Sequence, residues 1–184
     1  MKNIKRKSLI MILCLTLCAA TVSITFAYIK VTENKVENTF TLETLECTID
    51  EDFDGKIKSD VVINNSSEIA AYIRAEIIVT WMDSDGKEVY AEKPMLNEDY
   101  LMLINDNDWF LASDGYYYHK AKVNGDDSTE VLIEEAQLAE GITPPEGYHL
   151  SIEVVSSAIQ ANPEHAVTEM WPAIKVLSGE LTNQ

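Results

Sequence analysis

The stretch Ile73-Arg74-Ala75-Glu76-Ile77-Ile78-Val79-Thr80-Trp81 decides the fold class. Ile73, Ala75, Ile77, Val79 and Trp81 fall on one side of an extended chain, with Arg74, Glu76 and Thr80 on the other. Apolar residues at every second position put one face of a β-strand on a core and turn the other outward. Asp85-Gly86 follows, and the chain returns through Val89 and Tyr90, which predicts a hairpin. Working outward, Tyr148, Leu150, Ile152, Val154, Ser156 and Ala158 repeat the alternation over a second long strand. Asp114-Gly115 joins Trp109-Phe110-Leu111 to Tyr116-Tyr117-Tyr118 in a second predicted hairpin. Shorter strands are expected at Leu45, Cys47 and Ile49, at Ile57, Val61 and Ile63, and at Val131 with Ile133. Phe40 and Leu42 precede them in the opposite phase, so a bulge or a strand switching sheets is expected there. One helix signal stands out. Asn162 is the expected N-cap, Pro163 the first helical position and Glu164 the early acid, leading to Val167 and Trp171 before Pro172. Many short strands without alternating long helices predict an all-β fold, an antiparallel β-sandwich with short helices in its connections.

The 184 residues are enough for one domain, or one domain with an appendage. Thirty-one acidic against 14 basic side chains give a net charge of −17. Residues 1–27 hold Lys2, Lys5, Arg6 and Lys7 and no acid, so residues 28–184 set 31 acids against 10 bases, a net −21. Such a surface does not neutralise phosphates, which argues against nucleic acid and anionic lipid surfaces as partners. Apolar residues make up 46% of the chain, too many for an acidic disordered polymer.

Residues 2–7 are a basic n-region, and residues 8–29 carry no charge. This is the layout of a secretory signal peptide. An uncleaved anchor is the rival, since about 20 apolar residues span a bilayer, and it is the one route to a membrane that the sequence offers. Thr21, Ser23, Thr25 and the small residues around them favour cleavage, expected between Ala27 and Tyr28, with a cut after Ala20 as the fallback. Leu15-Thr16-Leu17 before Cys18 lacks the small residue of a lipoprotein cleavage site. Beyond residue 27 only Cys47 remains, and one thiol cannot form an internal disulfide. Residues 28–38 are mostly polar, with Ile29, Val31 and Val36 as their aliphatics, and are expected to be a flexible extension.

Signatures of chemistry are few. His119, His149 and His165 have no second histidine at ligand spacing and are expected on strand or helix surfaces. A zinc site assembled from residues distant in sequence stays open. Asp83-Ser84-Asp85-Gly86 does not fit an EF-hand loop in either register and is expected to be a turn. Asn105-Asp106-Asn107-Asp108 is expected to be a solvated loop, with a weak calcium site as its alternative. Cys47 lies on the apolar phase of its strand without a basic neighbour, which predicts a buried, inert thiol. Trp81, Trp109 and Trp171 with Tyr116-Tyr117-Tyr118 are expected in the core, with a ligand-stacking platform as the alternative. No hydrolase elbow, phosphate loop or dinucleotide fingerprint occurs, so no catalytic residue, metal ligand or cofactor is assigned.

Two stretches resemble a known family. Phe26-Ala27-Tyr28-Ile29, followed by Val36-Glu37-Asn38-Thr39-Phe40-Thr41-Leu42, resembles the export signal cut by the dedicated signal peptidase SipW. Asn64-Asn65-Ser66, Ala71-Tyr72-Ile73-Arg74-Ala75 and Trp81-Met82-Asp83 resemble the early strands of TasA/camelysin-like exported proteins. Pro144-Pro145-Glu146-Gly147-Tyr148-His149-Leu150 and Ala158-Ile159-Gln160-Ala161 are similar to later segments of small members. The resemblance implies a jelly-roll sandwich, secretion by a Gram-positive cell, and a structural subunit of extracellular biofilm-matrix or surface fibres. Its implied partners are further copies joined head to tail, a related matrix subunit, and the SipW-type peptidase during export. In such fibres the N-terminal strand of one subunit completes the sheet of the next, which makes Ile29, Val31 and Val36 the candidate donor residues. Some camelysin-like proteins are described as metalloproteases, so a secreted metal-dependent protease is one alternative. A monomeric surface-binding module is another. The expected organisation is a signal peptide over 1–27, an extension over 28–38 and one β-sandwich domain over 39–184.

Overall fold

The computed structural model describes residues 45–184, and these lie in a compact unit assigned to Glu43–Gln184. The expected phase change between Leu42 and Leu45 falls outside the described residues. Strands follow as β1 (Cys47–Phe53), β2 (Ile57–Asn65), β3 (Ala71–Asp83), β4 (Tyr100–Ile104), β5 (Trp109–Leu111), β6 (Tyr117–His119), β7 (Asp127–Ser128), β8 (Ile133–Leu138) and β9 (Tyr148–Gln160). Helix α1 (Glu164–Met170) and the hairpin of β10 (Ile174–Leu177) and β11 (Glu180–Asn183) complete the chain.

The antiparallel all-β fold is the one the alternation predicts. One sheet runs β1-β2-β8-β4, with β7 also on β2, and the second runs β5-β6-β3-β9. The ladder of β3 with β9 is unbroken from Ala71↔Gln160 to Asp83↔Tyr148. It sets Ile73 opposite Ala158, Ile77 opposite Val154, Val79 opposite Ile152 and Trp81 opposite Leu150. Apolar side chains of one face therefore meet apolar side chains of its neighbour, the pairing that stabilises sheets.

Val61, Ile63, Ile133 and Ala136 of the first sheet pack with Ile73, Ala75, Trp109 and Ile152 of the second in one buried cluster. Each such aliphatic side chain contributes about 1.5–3 kcal/mol by leaving water. A second cluster lies on the outer face of the β5-β6-β3-β9 sheet. There Tyr72 and Tyr118 are covered by Val167, Trp171, Ile174 and Leu181 from α1, β10 and β11 and the residues between them. The Tyr72 hydroxyl donates to the Gly179 carbonyl at 2.9 Å, and the Leu181 amide to the Lys120 carbonyl at 2.8 Å.

Asn65 ends β2 fully buried. Its amide nitrogen donates to the carbonyls of Ile69, Asn124 and Val123 at 2.8, 2.9 and 3.2 Å. Its oxygen accepts from the backbone and hydroxyl of Ser67. The loop 66–69 and the segment 123–124 are thus tied to one side chain. Gly125 is required beside it, because a β-carbon there would sit 2.4 Å from the Glu68 carbonyl carbon.

Several local expectations are corrected. The strand expected at Val131 starts at Ile133 and runs to Leu138. Leu132 and Ile133 are both buried, which breaks the alternation, and the Leu132 amide bonds Val61 at 2.7 Å outside the ladder. The return through Val89 and Tyr90 is a single bridge, Met82↔Val89, and not a strand. Asn162 is not the N-cap of α1: Pro163 holds that place with extended ψ 144 and no side-chain cap bond. Without a donor on its nitrogen, proline satisfies the helix entry only by geometry. Strands β4, β7, β10 and β11 add to those expected.

Candidate functional site

The expected cleavage pair, Ala27 and Tyr28, and the donor residues Ile29, Val31 and Val36 lie outside the described residues. The described domain supplies the surface on which a strand is able to add. β9 is thirteen residues long and is bonded on one side by β3. Among the described residues no strand pairs with its other side. The core beneath it loosens along its length. Ile73 and Ala75 are fully buried, whereas Ile77, Val79, Leu150 and Val154 are half-buried although they face inward. The gap is a cleft of about 620 Å³ between β8 and β9, floored by Phe53, Ala136, Leu138, Pro144, Leu150 and Ile152. At its side Lys58 binds Glu51 at 2.8 Å, joining β1 to β2. An unpaired edge beside an apolar cleft offers backbone bonds and alternate side-chain pockets together.

Among the candidate ligand residues, His119 has structural partners. His149 and His165 are exposed, as expected, but His119 is buried, against its expected surface position. Its Nδ1–H donates to the Ala121 carbonyl at 2.7 Å, and its Nε2 shares a hydrogen bond of 2.5 Å with the Glu130 carboxylate. The Trp109 indole packs edge-on to the ring and donates to the Glu130 carbonyl at 3.0 Å. Glu130 lies eleven residues away on a separate segment, so no local pattern signals this burial. Cys47 is half-buried against the core, and burial pushes its thiol upward, away from the reactive thiolate.

Asp83 closes the turn before Val89. Its carboxylate accepts the Lys87 and Glu88 amides at 2.6 and 3.0 Å, and these bonds hold its carboxyl below the ordinary range. Asn105 and Asp108 bond each other at 3.0 Å, and Lys120 donates to the carbonyls of Asp106 and Asn107. Both oxygen-rich loops therefore spend their oxygens on turn geometry. Among the described residues no group of three or more His, Cys, Asp or Glu side chains is placed to hold a metal ion. Trp81, Trp109, Trp171 and Tyr118 are buried in the core, with Tyr117 half-buried against it, so these side chains do not form an exposed platform.

The densest polar cluster surrounds Arg74. Its guanidinium lies 4.0 Å from the Tyr116 ring centre and 4.9 Å from that of Trp171. It donates to Ser157 at 3.0 Å and to the Tyr118 hydroxyl at 3.2 Å, and lies 3.7 Å from Asp114. Tyr118 donates to Asp114 at 2.7 Å, and burial, reinforced by Asp114 and opposed by Arg74, pushes its phenol up to about 12. Every arm of the guanidinium that bonds does so within the fold. The node therefore fixes β6, β3, β9 and the segment after α1 against one another.

Two antiparallel sheets over a shared core, with a long half-paired edge, define the class: an all-β, sandwich-like protein. No family model, curated protein or solved structure compared with the chain matches it.

Proposed function

We propose that the chain is a secreted structural subunit that polymerises head to tail into extracellular matrix or surface fibres by donating its N-terminal strand. The observation that carries this reading is the outer side of β9, unpaired among the described residues, beside the apolar cleft. A strand laid there gains a ladder of backbone bonds, and every second side chain enters the cleft. Ile29 and Val31 share a face of an extended segment, whereas Val36 falls on the opposite one. Burying the first pair contributes roughly 3–6 kcal/mol before ordering costs. Donation from one copy to the next is a heterologous contact that does not close, and so builds a filament. The likeness of residues 26–42 to a SipW-type export signal supports secretion with cleavage after Ala27.

Electron microscopy of residues 28–184, with and without residues 28–38, tests the proposal. Fibres are expected from the longer form, a folded soluble monomer from the shorter one, and shortened fibres when a peptide of residues 28–42 is added. Fibres from both forms alike remove strand donation. No fibres from the longer form at any salt or pH remove the structural-subunit reading. N-terminal sequencing of the secreted product tests the cleavage, and a membrane-bound product that starts at Met1 ends the secretion claim.

A further inference from the structure

We infer that β9 takes the donated strand antiparallel and in one register, with Ile29 opposite Val154, Lys30 opposite Glu153 and Val31 opposite Ile152 of the next copy. This register rests on strand donation and adds its direction and its contacts. The free backbone groups of β9 are fixed by β3. Ala71 exchanges bonds with Val123, Trp81 accepts the Tyr90 amide and Asp83 donates to Glu88, so the odd-numbered residues of β3 turn away from β9. Their partners across the unbroken ladder, among them Leu150, Ile152 and Val154, turn away from β3 in the same way. None of these three makes a backbone bond on that outer side among the described residues. Their side chains face the core, where Ile152 is buried and Leu150 and Val154 are half-buried. A strand bonded to them presents its own alternate side chains inward. Between them Ser151, Glu153 and Val155 face outward, and Glu153 is the one charge of the three.

This edge fits aliphatics opposite Val154 and Ile152, a cation opposite Glu153, and an apolar side chain over Val155, which is 51% exposed. Opposite Leu150 the strand reaches the cleft that Lys56 and Lys58 also line. Lys58 is paired with Glu51 at 2.8 Å, whereas Lys56 has no ion pair among the described residues, so an acid fits there. Tyr28-Ile29-Lys30-Val31-Thr32-Glu33 supplies these residues in this order when it runs antiparallel. Run parallel, it sets Glu33 beside Ser156, which does not line the cleft. A two-residue shift one way buries Glu33 against Ile152 without a partner. The opposite shift leaves Lys30 on Ser151 and Tyr28 on Glu153. A one-residue slip turns Ile29 and Val31 out of the core. The exposed pair of Lys30 with Glu153 contributes little affinity, so it selects the register while Ile29 and Val31 hold the strand. Past Glu33 the ladder ends, because the Pro145 carbonyl already takes the Tyr148 amide at 3.0 Å. Val36 falls beyond β9.

Disulfide trapping in a Cys47→Ala background tests the register. Residues 28–184 with Lys30→Cys and Glu153→Cys, oxidised with diamide under assembling conditions, should join position 30 of one copy to position 153 of another. Lys30→Cys with Ser151→Cys or with Val155→Cys should crosslink about tenfold less, because diagonal neighbours lie too far apart. Charge reversal gives a second readout. Lys30→Glu and Glu153→Lys should each raise the critical concentration for fibres about two- to tenfold, and the two combined should restore it. Glu153→Lys is the sharper arm, since it lowers the net negative charge and would favour assembly if total charge alone mattered. The 28–38-deleted form with Glu153→Cys, given a peptide of residues 28–42 with Lys30→Cys, reads the same contact without fibres. Fibres whose crosslinks favour 151 or 155, or that the double reversal does not restore, overturn the register and leave strand donation standing. A peptide joined to 153 without fibres from residues 28–184 upholds the register and removes the structural-subunit reading. Neither fibres nor a peptide crosslink removes both.

Discussion

Asn65 is itself fully buried and bonds three carbonyls of two separate segments, so its loss is felt beyond its own side chain. Asn65→Ala removes three donated bonds; the Val123 carbonyl keeps the Ala71 amide and the Ile69 carbonyl the Ser67 hydroxyl, so the Asn124 carbonyl loses most. An unsatisfied buried group costs about 1–3 kcal/mol in general. The three bonds share one side chain and do not add fully. A loss of about 2–4 kcal/mol is expected from urea unfolding at neutral pH. Asn65→Asp should recover at most the share of the Ser67 bonds, because a carboxylate still accepts from Ser67 but donates to no carbonyl. Tyr118 gives a prediction in pH. Its folded value, about 12, lies above the ordinary phenol value of about 10. The raised value means that the native state holds the proton longer. Its stabilising effect is complete below the ordinary value and is lost as pH rises from there through about 12. Tyr118→Phe should shrink the alkaline loss of stability without abolishing it, since Tyr72, Tyr100 and Tyr117 are raised by burial in the same sense. Absorbance titration of the tyrosines alongside alkaline unfolding measures both. At this scale the sequence shows residue types well and partners poorly. The tryptophans read as core because their size leaves few alternatives. His119 read as surface because the groups that bury it are brought there from a separate segment, and the role of Asn65 carried no local signal for the same reason.

The hairpin of β10 and β11 turns on Ser178-Gly179, between the opposed Leu177 and Glu180. Both turn residues have positive φ, 54° and 84°. That is the type I′ geometry that suits the twist of a two-residue hairpin, and it prefers asparagine before glycine. Ser178→Asn should therefore stabilise the domain by a few tenths to about 1 kcal/mol, while Gly179→Ala should cost about 1–2 kcal/mol through the left-handed backbone. Thermal unfolding of the two variants checks the sign of each, and Leu181 beneath the hairpin makes the effect global. Elements with clean alternation were legible: β3, β9, and the hairpin of β5 and β6. β4 was not, because Tyr100-Leu101-Met102-Leu103-Ile104 is continuously apolar and a short apolar run has no diagnostic period. The last hairpin carried a legible turn signal in Ser178-Gly179, but each flanking strand is only four residues long. β8 was misplaced by a bulge. Ile104 pairs with Ile133 and Leu103 with Glu135, so Glu134 is the extra residue and the alternation slips there.

At the scale of the molecule, the class of fold followed from periodicity, whereas the candidate site did not. An open edge is a property of the assembled sheet, and no residue of β9 announces that its outer side lacks a paired strand among the described residues. What composition does foretell is the condition under which edges meet. Residues 28–184 carry −21, so two bodies repel before short-range strand pairing begins. At about 0.01 M salt the Debye length is about 30 Å and this repulsion reaches across a domain; at about 1 M it is about 3 Å and falls within the contact. Assembly of the intact form is therefore expected to accelerate and its critical concentration to fall as sodium chloride rises. Acid should act in the same direction by neutralising carboxylates, but it also acts on the fold. The bonds to Asp83 and Asp54 depress both carboxyls, so the turns they close are stable above the ordinary carboxylate range and loosen as pH falls through the lowered values. Salt is thus the clean variable. Light scattering of the intact and 28–38-deleted forms across a salt series separates screening from strand donation: the intact form should respond steeply and the deleted form should gain no fibres. Equal fibre growth in both forms would place the assembly contact on another edge of the domain. Assembly that weakens with salt would mean that attraction between unlike charges, and not apolar strand pairing, holds the copies together.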